Sequence, residues 1–304
     1  ADGQTLYFSK SQEELTTSTG ITVGKWEEAF PADFFFDISE GAETIAGLMS
    51  DGETLYIGTE RRVIRLLGDS PSNFQKPETL FQNVGILNQD VWKMVFRAGN
   101  PLGAMWITPS NKVVISDFNT YEDIGWPIQD VLDTLNKTYA AKCWAIYSQH
   151  SIYNLYILAL VTGANTQPDT LCVYDIEMKK WYIWQPTDKM LGGLYHIDVT
   201  GVPITYLLAA SGKLYELDPD VTQDRTGDTP LNFTVTIQTS WLDFGDHTLR
   251  KVLNELEVMT GDSSLAVTIQ GASNISEFTT PAAVATSAAL TTGPLGEYKL
   301  MLAG

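Results

Sequence analysis

Residues 55–74 read LYIGTERRVIRLLGDSPSNF, and this stretch decides the predicted fold class. Two short apolar runs flank the charged corner Glu60-Arg61-Arg62, and turn-forming residues come after them. Short runs rich in Leu, Ile and Val between turn residues are typical of β-strands joined as hairpins. The stretch therefore predicts part of a repeating sheet, with the alternative that the arginines form a local basic site in an otherwise acidic chain.

Pairs of apolar and aromatic residues recur along the chain at a nearly constant spacing. The pairs are Leu6-Tyr7, Leu55-Tyr56, Met105-Trp106, Leu155-Tyr156 and Tyr206-Leu207, and their first members lie 49, 50, 50 and 51 residues apart. A period of about fifty residues is typical of the blades of a β-propeller. We therefore predict an all-β protein in which residues 1–220 form a β-propeller, with blades of about 50 residues and about five blade units visible in the sequence.

The runs inside these units are predicted as strands because each has four to eight residues and is bounded by Gly, Asp, Asn, Ser or Pro. They are ETIAGLM, TLYIGT and VIRLLG; WKMVF, MWITP and KVVISDF; CWAIYS, NLYILALV, LCVYDI and KWYIWQP; and GLYHIDV, ITYLLAA and KLYELD. At most two helical turns interrupt them. In WPIQDVLDTLN, Pro127 suits a first turn and the apolar residues Ile128, Val131, Leu132 and Leu135 predict one amphipathic helix against a blade.

The character of the sequence changes after Asp218, where DPDVTQDRTGDTPLN reads as an acidic, turn-rich linker. Residues 221–304 are predicted to form a β-sandwich-like module that is incomplete. Its predicted strands lie in FTVTIQTSWLDFG, LNELEVMTG, LAVTIQG and EYKLMLAG, whereas TTPAAVATSAALTTG is predicted as a loop of small residues. We expect the chain from Ala1 to Gly304 to be a piece of a longer protein.

Composition excludes several classes of function. The chain has 304 residues, with 19 basic and 37 acidic side chains and a net charge of −18, which disfavours tight binding of nucleic acid. Neither a long uncharged apolar run nor a signal-peptide pattern is present in the sequence, so no membrane partner and no secretion are predicted. Cys143 and Cys172 are predicted as buried free thiols. The triplets at Asn136, Asn232 and Asn274 are interpreted as chance matches to the glycosylation motif.

Several groups of residues are candidate sites, and each favours a structural interpretation. Arg61, Arg62 and Arg65 could contact phosphate or an acidic neighbour, but a hairpin whose arginines pair with local carboxylates is favoured. The carboxylates that could hold calcium are Asp218, Asp220, Asp224 and Asp228, and a solvated linker is favoured. The histidines His150, His196 and His247 fall in or near turns without a nucleophile motif.

Aromatic residues and carboxylates could also serve carbohydrate chemistry. The tryptophans considered as sugar-stacking platforms are Trp144, Trp181, Trp184 and Trp241, and core positions within strands are favoured for them. A catalytic carboxylate pair is not singled out among the 37 acidic residues. The sequence therefore predicts a protein that is not an enzyme, with no catalytic, cofactor-binding or metal-binding residues and no cofactor.

The order of these motifs resembles a known family. From LYIGTERRVIRLLGDSPSNF through VVISDF, WPIQDVLDTLN, LCVYDIEMKKWYIW and KLYELDPD to SWLDFGDHTLRKVLNELEV, the chain looks like the β-propeller tail proteins of bacteriophages and prophages. This family includes the nozzle and DNA-stabilising hub components of short-tailed phages. The resemblance covers about residues 3–270. Family members usually extend beyond both ends of this chain, and five units are fewer than the six to eight that the resemblance leads us to expect.

The resemblance implies a structural virion component of the phage tail, assembled in the cytoplasm of the bacterial host. Its implied partners are other copies of itself in a ring, by resemblance a hexamer, and neighbouring tail, adaptor or portal proteins. DNA would pass through the ring without specific binding, because acidic side chains that line a channel repel phosphates. The alternative is a carbohydrate-binding or glycan-hydrolysing propeller for host-receptor recognition, and a further alternative is a cellular scaffold that binds proteins through its rim.

Overall fold

The computed structural model is an all-β chain of antiparallel sheets with few helical turns, which confirms the predicted fold class at this level. It describes residues 5–7, 35–37, 43–52, 54–68, 73–75, 77–97, 100–150, 153–217, 224–226, 229–231, 255–260, 268–271, 282–286 and 296–301. The chain divides into two compact units, Ala1–Leu231 and Asn232–Gly304. The propeller arrangement and the sandwich-like module stay predictions, as does the division of the chain at residue 220.

The first unit is built from sheets in which strands that are consecutive in sequence are also neighbours in space. A short sheet pairs β1 (Thr5–Tyr7) with β2 (Phe35–Asp37). Sheet 1 contains β3 (Ile45–Ser50), β4 (Thr54–Thr59), β5 (Arg62–Leu67) and β6 (Glu78–Gln82). Sheet 2 contains β7 (Lys93–Arg97), β8 (Asn100–Ile107), β9 (Val113–Ser116) and β10 (Tyr121–Asp123).

Two further sheets have the same antiparallel order. Sheet 3 contains β11 (Trp144–Gln149), β12 (Asn154–Leu160), β13 (Thr170–Asp175) and β14 (Lys180–Trp184). Sheet 4 contains β15 (Met190–Ile197), β16 (Pro203–Ala209) and β17 (Leu214–Glu216). The predicted strands of all four units are confirmed, whereas β6 and β10, the outermost strands of sheets 1 and 2, were not predicted.

The fifty-residue repeat coincides with the second strand of each sheet. Leu55-Tyr56 lies in β4, Met105-Trp106 in β8, Leu155-Tyr156 in β12 and Tyr206-Leu207 in β16. Each of these strands pairs on both sides, with the first and the third strand of its sheet. The repeat therefore marks the central strand of a recurring unit.

Helical structure is more fragmented than the sequence predicts. The predicted helix is a 3₁₀ turn at Trp126–Ile128 followed by a single α-helical turn, α1, at Gln129–Leu132. Its apolar stripe is nevertheless correct, because Ile128, Leu132 and Leu135 are buried in the core and Val131 packs against it. Further 3₁₀ turns lie at Gln89–Val91 and Lys137–Lys142, so the expectation of at most two helical turns is wrong. Asn88 and Asn136 cap these turns by accepting hydrogen bonds from backbone amides, which favours a new turn at each place.

Apolar clusters fill the spaces between successive sheets. One cluster joins β1 to sheet 1 through Leu6, Ile57, Ile64 and Leu66. A large cluster joins sheets 1, 2 and 3 and includes two tryptophans, Trp92 and Trp106, whose rings meet edge to face. A third cluster joins sheets 3 and 4. Sheets 1 and 3 are therefore each packed on both faces, as their nearly continuous apolar strands predict.

The segments that connect the sheets run along one end of the unit, which we call the lower end. It contains the hairpins between the second and third strands, at residues 60–61, 108–112, 161–169 and 210–213. Backbone hydrogen bonds link the connecting segments to the sheets here, with amides donating to carbonyls from Ile86 to Thr59, Leu87 to Ile107, Met190 to Pro168 and Ala210 to Lys189. These hydrogen bonds, of 2.7–3.0 Å, align the lower ends of successive sheets.

The remaining described strands correct two sequence interpretations. The predicted linker contains a hairpin of β18 (Asp224–Thr226) and β19 (Thr229–Leu231). In the second unit, β20 (Glu255–Thr260) pairs with β23 (Gly296–Met301), and β21 (Thr268–Gly271) pairs with β22 (Ala282–Thr286). The predicted small-residue loop thus contains a strand, because backbone pairing with β21 outweighs the low strand propensity of alanine. The predicted strand FTVTIQTSWLDFG lies outside the described residues.

Candidate functional site

The outer face of sheet 4 carries several exposed large apolar side chains in the described part of the first unit. Side chains of β16 alternate: Leu207 and Ala209 are buried in the cluster shared with sheet 3, whereas Leu208 points the other way and is 43% exposed. Leu208 pairs with Leu214, which is 61% exposed, and Tyr206 pairs with Leu194, which is 59% exposed. We define the outer face of sheet 4 by these four residues, Leu194, Tyr206, Leu208 and Leu214.

This face has the chemistry of a surface that another sheet covers. In sheet 3, Leu155 and Ile157 of β12 are buried by sheet 4, and Tyr206 and Leu208 stand at the corresponding positions of β16. The carboxylate at the rim of the face belongs to Glu216, which pairs with Tyr206. Exposed apolar patches of this kind mark interaction surfaces more often than scattered single residues do.

A second candidate is a polar groove at the lower end, between α1 and the hairpin that joins β12 to β13. The groove has a volume of about 370 Å³. Its walls are formed by Asp130, Val131, Thr134, Thr162, Gly163, Asn165, Thr170 and Gln185. We call it the lower groove. It brings together three stretches of chain that lie far apart in sequence, and the sequence offers no motif that joins them.

Hydrogen bonds fix the backbone on the hairpin side of the lower groove. Asp169 accepts from the Thr162 amide and from its hydroxyl, both at 2.8 Å. Asn136 Nδ2 donates to the carbonyls of Gly163 and Asn165, both at 3.0 Å. Gly163 has a φ of 57°, a left-handed conformation that favours glycine. This wall is therefore organised before any ligand arrives.

Exposed aromatic residues accompany the lower groove along the chain. Trp126 is 80% exposed and lies four residues before Asp130 in the chain. Trp184 directly precedes Gln185 and is 36% exposed. The prediction that Trp184 belongs to the core is therefore wrong, because β14 is an edge strand of sheet 3 and its side chains are only partly covered.

Two other tryptophans considered in the sequence have structural roles. Trp144 is buried, and its Nε1 donates to the Met190 carbonyl at 2.9 Å. Trp181 is partly buried against the ring of Tyr174 and donates to the Ile124 carbonyl at 2.7 Å. The core interpretation is confirmed for Trp144 and largely for Trp181, while Trp241 lies outside the described residues.

The paired-hairpin interpretation of the arginine corner is confirmed for Arg62 and Arg65. Arg62 Nε lies 3.0 Å from Glu43 Oε2, and Arg65 pairs with Glu78 at 2.6 Å. Burial raises the pKa of Glu43, but hydrogen bonds from Thr59 and Arg62 outweigh this, so its pKa lies below the usual value. A Cβ on Gly85 would overlap the backbone between Glu60 and Arg61, so this glycine lets the connecting segment close on the corner. The arginines thus stabilise sheet 1.

The two cysteines are inert parts of the core. Cys143 and Cys172 are buried free thiols, as predicted. Burial raises the pKa of Cys143 to about 11 and that of Cys172 to about 12. Because the thiolate is the nucleophile, neither cysteine has the chemistry of a reactive site at neutral pH.

The other candidate residues of the sequence are not brought together where the structure describes them. His150 comes directly after β11 and stacks on Tyr153, while His196 lies in β15 of another sheet. Asp224 begins β18, whereas Asp218, Asp220, Asp228 and His247 lie outside the described residues. Among the residues that the structure describes, no cluster of His, Cys, Asp or Glu could hold a metal ion. The described helical turns also include none that is long and apolar enough to cross a membrane.

The asparagine triplets have no assigned role. Asn136 is committed to the turn that it caps and to the two carbonyls described above. Asn232 and Asn274 lie outside the described residues.

No model of a known protein family matches the chain, and no curated protein matches it.

Proposed function

We propose that the protein is a non-enzymatic structural component of a bacteriophage tail that assembles into a ring of identical copies. The observation that carries this proposal is the outer face of sheet 4, which is apolar and uncovered by the described residues. An architectural protein needs apolar-centred surfaces that only its partners bury. The position in the virion, the hexameric ring and the neighbouring tail, adaptor or portal proteins are inferred from the resemblance of the sequence.

The proposal includes a propeller in which sheets 1 to 4 are successive blades. Three features support it: each sheet is a meander of neighbouring strands, apolar clusters lie between consecutive sheets, and the lower ends are aligned by hydrogen bonds. Each sheet occupies one period of the fifty-residue repeat. A β-sandwich-like module over residues 221–304 completes the proposed architecture.

The charge of the chain makes the outer face of sheet 4 a suitable contact between copies. Every copy has a net charge of −18, so most surfaces of two copies repel one another. On the outer face, the four defining side chains are uncharged and Glu216 lies at the rim, so repulsion between copies is smaller there. Association through this face gains hydrophobic free energy at a low electrostatic cost.

The proposed assembly is tested by the mass of the native particle. We expect native mass spectrometry at roughly 100 µM protein to find several identical copies, since assembly depends on concentration by mass action. The double change Leu194→Asp and Leu208→Asp should shift the population to monomers, because each new carboxylate would be desolvated in the contact. Met178→Asp is the control, since Met178 is also an exposed apolar residue but lies in the turn before β14.

A monomeric wild-type chain at this concentration would contradict self-assembly through this face. Assembly that survives the double change at the outer face would place the contact elsewhere and remove the observation on which the proposal rests. Loss of assembly in Met178→Asp as well would point to a general effect of charge.

The same net charge suggests a mechanism for DNA passage. Acidic side chains that line a channel would repel phosphates, so DNA would slide through without being held. We expect no measurable retention of double-stranded DNA in a filter-binding experiment at low salt, where electrostatic attraction would be strongest. Binding that weakens steeply with added salt would reveal a basic channel and would contradict this mechanism.

A further inference from the structure

We propose that the lower groove binds a neutral carbohydrate. The groove is bounded by the walls named above, from Asp130 on α1 to Gln185 after β14. Its volume of about 370 Å³ lies near the lower limit of ligand clefts, which occupy roughly 300–1,000 Å³. The groove is therefore large enough for a short glycan.

The chemistry of the walls selects the class of ligand. Hydroxyl, amide and carboxylate groups supply both donors and acceptors, which suits a ligand rich in hydroxyl groups. Lys, Arg and His are missing from the described residues that line the groove, so a phosphate or another anion would find no opposite charge there. Val131 supplies the apolar side chain of the walls, which is too little for a lipid. One carboxylate, Asp130, is too few for a divalent cation.

Some polar groups of the lower groove already make hydrogen bonds within the protein, and others remain available to a ligand. The hydroxyl of Thr134 donates to the Val131 carbonyl, and the hydroxyl of Thr162 donates to Asp169. Asp130 and Gln185 are exposed, and within the described part of the chain neither side chain makes a hydrogen bond. The carboxylate of Asp130 on α1 and the primary amide of Gln185 after β14 can together accept from and donate to hydroxyl groups of a sugar.

An aromatic surface for the apolar face of the sugar lies just before α1 in the chain. Trp126 begins the 3₁₀ turn that leads directly into α1, four residues before Asp130. Its exposure of 80% leaves the indole ring available for stacking. The backbone of this segment is held in place, because the Ile124 amide donates to the Val113 carbonyl and the Gly125 amide donates to Asp123. A stacking residue on a fixed segment loses little conformational entropy when a ligand binds.

The test begins with an array of neutral and acidic glycans, followed by saturation-transfer NMR with N-acetylglucosamine, galactose and rhamnose as probes. We expect one or more of the neutral probes to bind with a dissociation constant on the order of 1 mM, because the groove is open. Gln185→Ala and Trp126→Ala should each weaken that binding at least about tenfold, which is the effect of one lost hydrogen bond or stack. Glu122→Gln, an exposed change on β10, is the matched control and should leave binding unaltered.

Three results would overturn the proposal. Failure of every neutral glycan to bind would remove it, and so would binding that Gln185→Ala and Trp126→Ala leave unaltered. Binding of inorganic phosphate in competition with a sugar would show that the class of ligand is wrong. Circular dichroism checks that each variant is folded. None of these results depends on the oligomeric state, so the carbohydrate site can fail while the structural function stands, and the reverse also holds.

Discussion

Sheets 3 and 4 have central strands of the same length and similar composition, yet their surroundings differ. All seven residues of β12 are buried, because Tyr156, Leu158 and Leu160 pack toward sheet 2 while Leu155 and Ile157 pack toward sheet 4. In β16, by contrast, buried and exposed side chains alternate over the last residues. Neighbours on both sides therefore determine whether an apolar strand belongs to the core or forms a surface.

The sequences of the two strands do not reveal this difference in surroundings. NLYILAL and PITYLLA both read as continuous apolar runs, which are typical of strands that are packed on both faces. The outward side chains of β16 are of the same kind as those that β12 buries, but none of the described residues covers them. Apolar side chains of the kind that is usually buried are here left uncovered, and such a surface indicates a site where a partner binds.

The largest expected effect is on the free energy of unfolding, and it differs between the central strands of the two sheets. Leu158→Ala in β12 should lower the free energy of unfolding by about 2–5 kcal/mol, because it removes buried methyl groups and leaves a cavity. Leu208→Ala in β16 should lower it by less than about 0.5 kcal/mol in the monomer, since this side chain is already exposed to water. Urea unfolding measured at concentrations where the chain is monomeric checks both values. Similar losses for the two variants would show that the outer face of sheet 4 is covered.

A smaller effect is expected from adding a methyl group at matched glycines. A Cβ on Gly58 of β4 would overlap the side chain of Ile86 and press on the ring of Trp92, so Gly58→Ala should cost about 1–3 kcal/mol. A Cβ on Gly192 of β15 would meet no atom within 4 Å. Gly192→Ala should therefore leave stability unchanged or raise it by up to about 1 kcal/mol, through the smaller entropy of the unfolded chain. Thermal unfolding of the two variants tests the pair, and a destabilised Gly192→Ala would contradict an open surface at sheet 4.

The smallest expected effect concerns a carboxylate beside each of sheets 1 and 4. Glu43→Gln, just before sheet 1, should cost about 1 kcal/mol at pH 7, because it breaks the pair with Arg62. The pKa of Glu43 is lower in the folded chain than its ordinary value of 4.5, so this contribution is complete above pH 4.5 and is lost as the pH falls through the folded pKa. Wild type and Glu43→Gln should thus converge in stability as the pH falls from 4.5 through the folded pKa of Glu43.

The matched change near sheet 4 is Asp188→Asn. Hydrogen bonds from Tyr215 and Ser211 lower the pKa of Asp188, but this carboxylate is exposed to solvent. We expect a smaller dependence on pH than for Glu43→Gln, measured by urea unfolding between pH 3 and pH 7. A larger dependence at Asp188 than at Glu43 would reverse the comparison.

Most central strands could be predicted from the sequence, whereas edge elements could not. The pairs near Tyr56, Trp106 and Tyr156 lie in strands that are buried on both sides, where apolar runs are long and the signal is strong. The outermost strand β10, with the sequence YED, is entirely exposed and has no apolar pattern to find. The helix is shorter than predicted. Its apolar spacing continues past the α-helical turn, but the backbone hydrogen bonds there no longer follow the α-helical pattern.

The two candidate surfaces depend on information that a sequence pattern lacks. Leu208 and Leu214 are exposed because none of the described residues packs over them, and composition does not determine which elements are neighbours in space. The lower groove joins residues near 130, 165 and 185, each of which reads as an ordinary polar position in a loop or a turn. The pairing of Arg62 and Arg65 could be predicted, because their carboxylate partners lie close by in the same sheet or just before it and the hairpin pattern is local.

The local order of the strands has a consequence for how the chain reaches its native state. Each of sheets 1 to 4 pairs only strands that are consecutive in sequence, so a sheet can form before the next one has been synthesised. Short sequence separation between contacting residues favours fast folding. Sheet 4 then folds against an existing sheet 3, and its outer face is the last apolar surface of the four to emerge. We therefore expect this surface to be the one at which aggregation during synthesis begins when no partner is present.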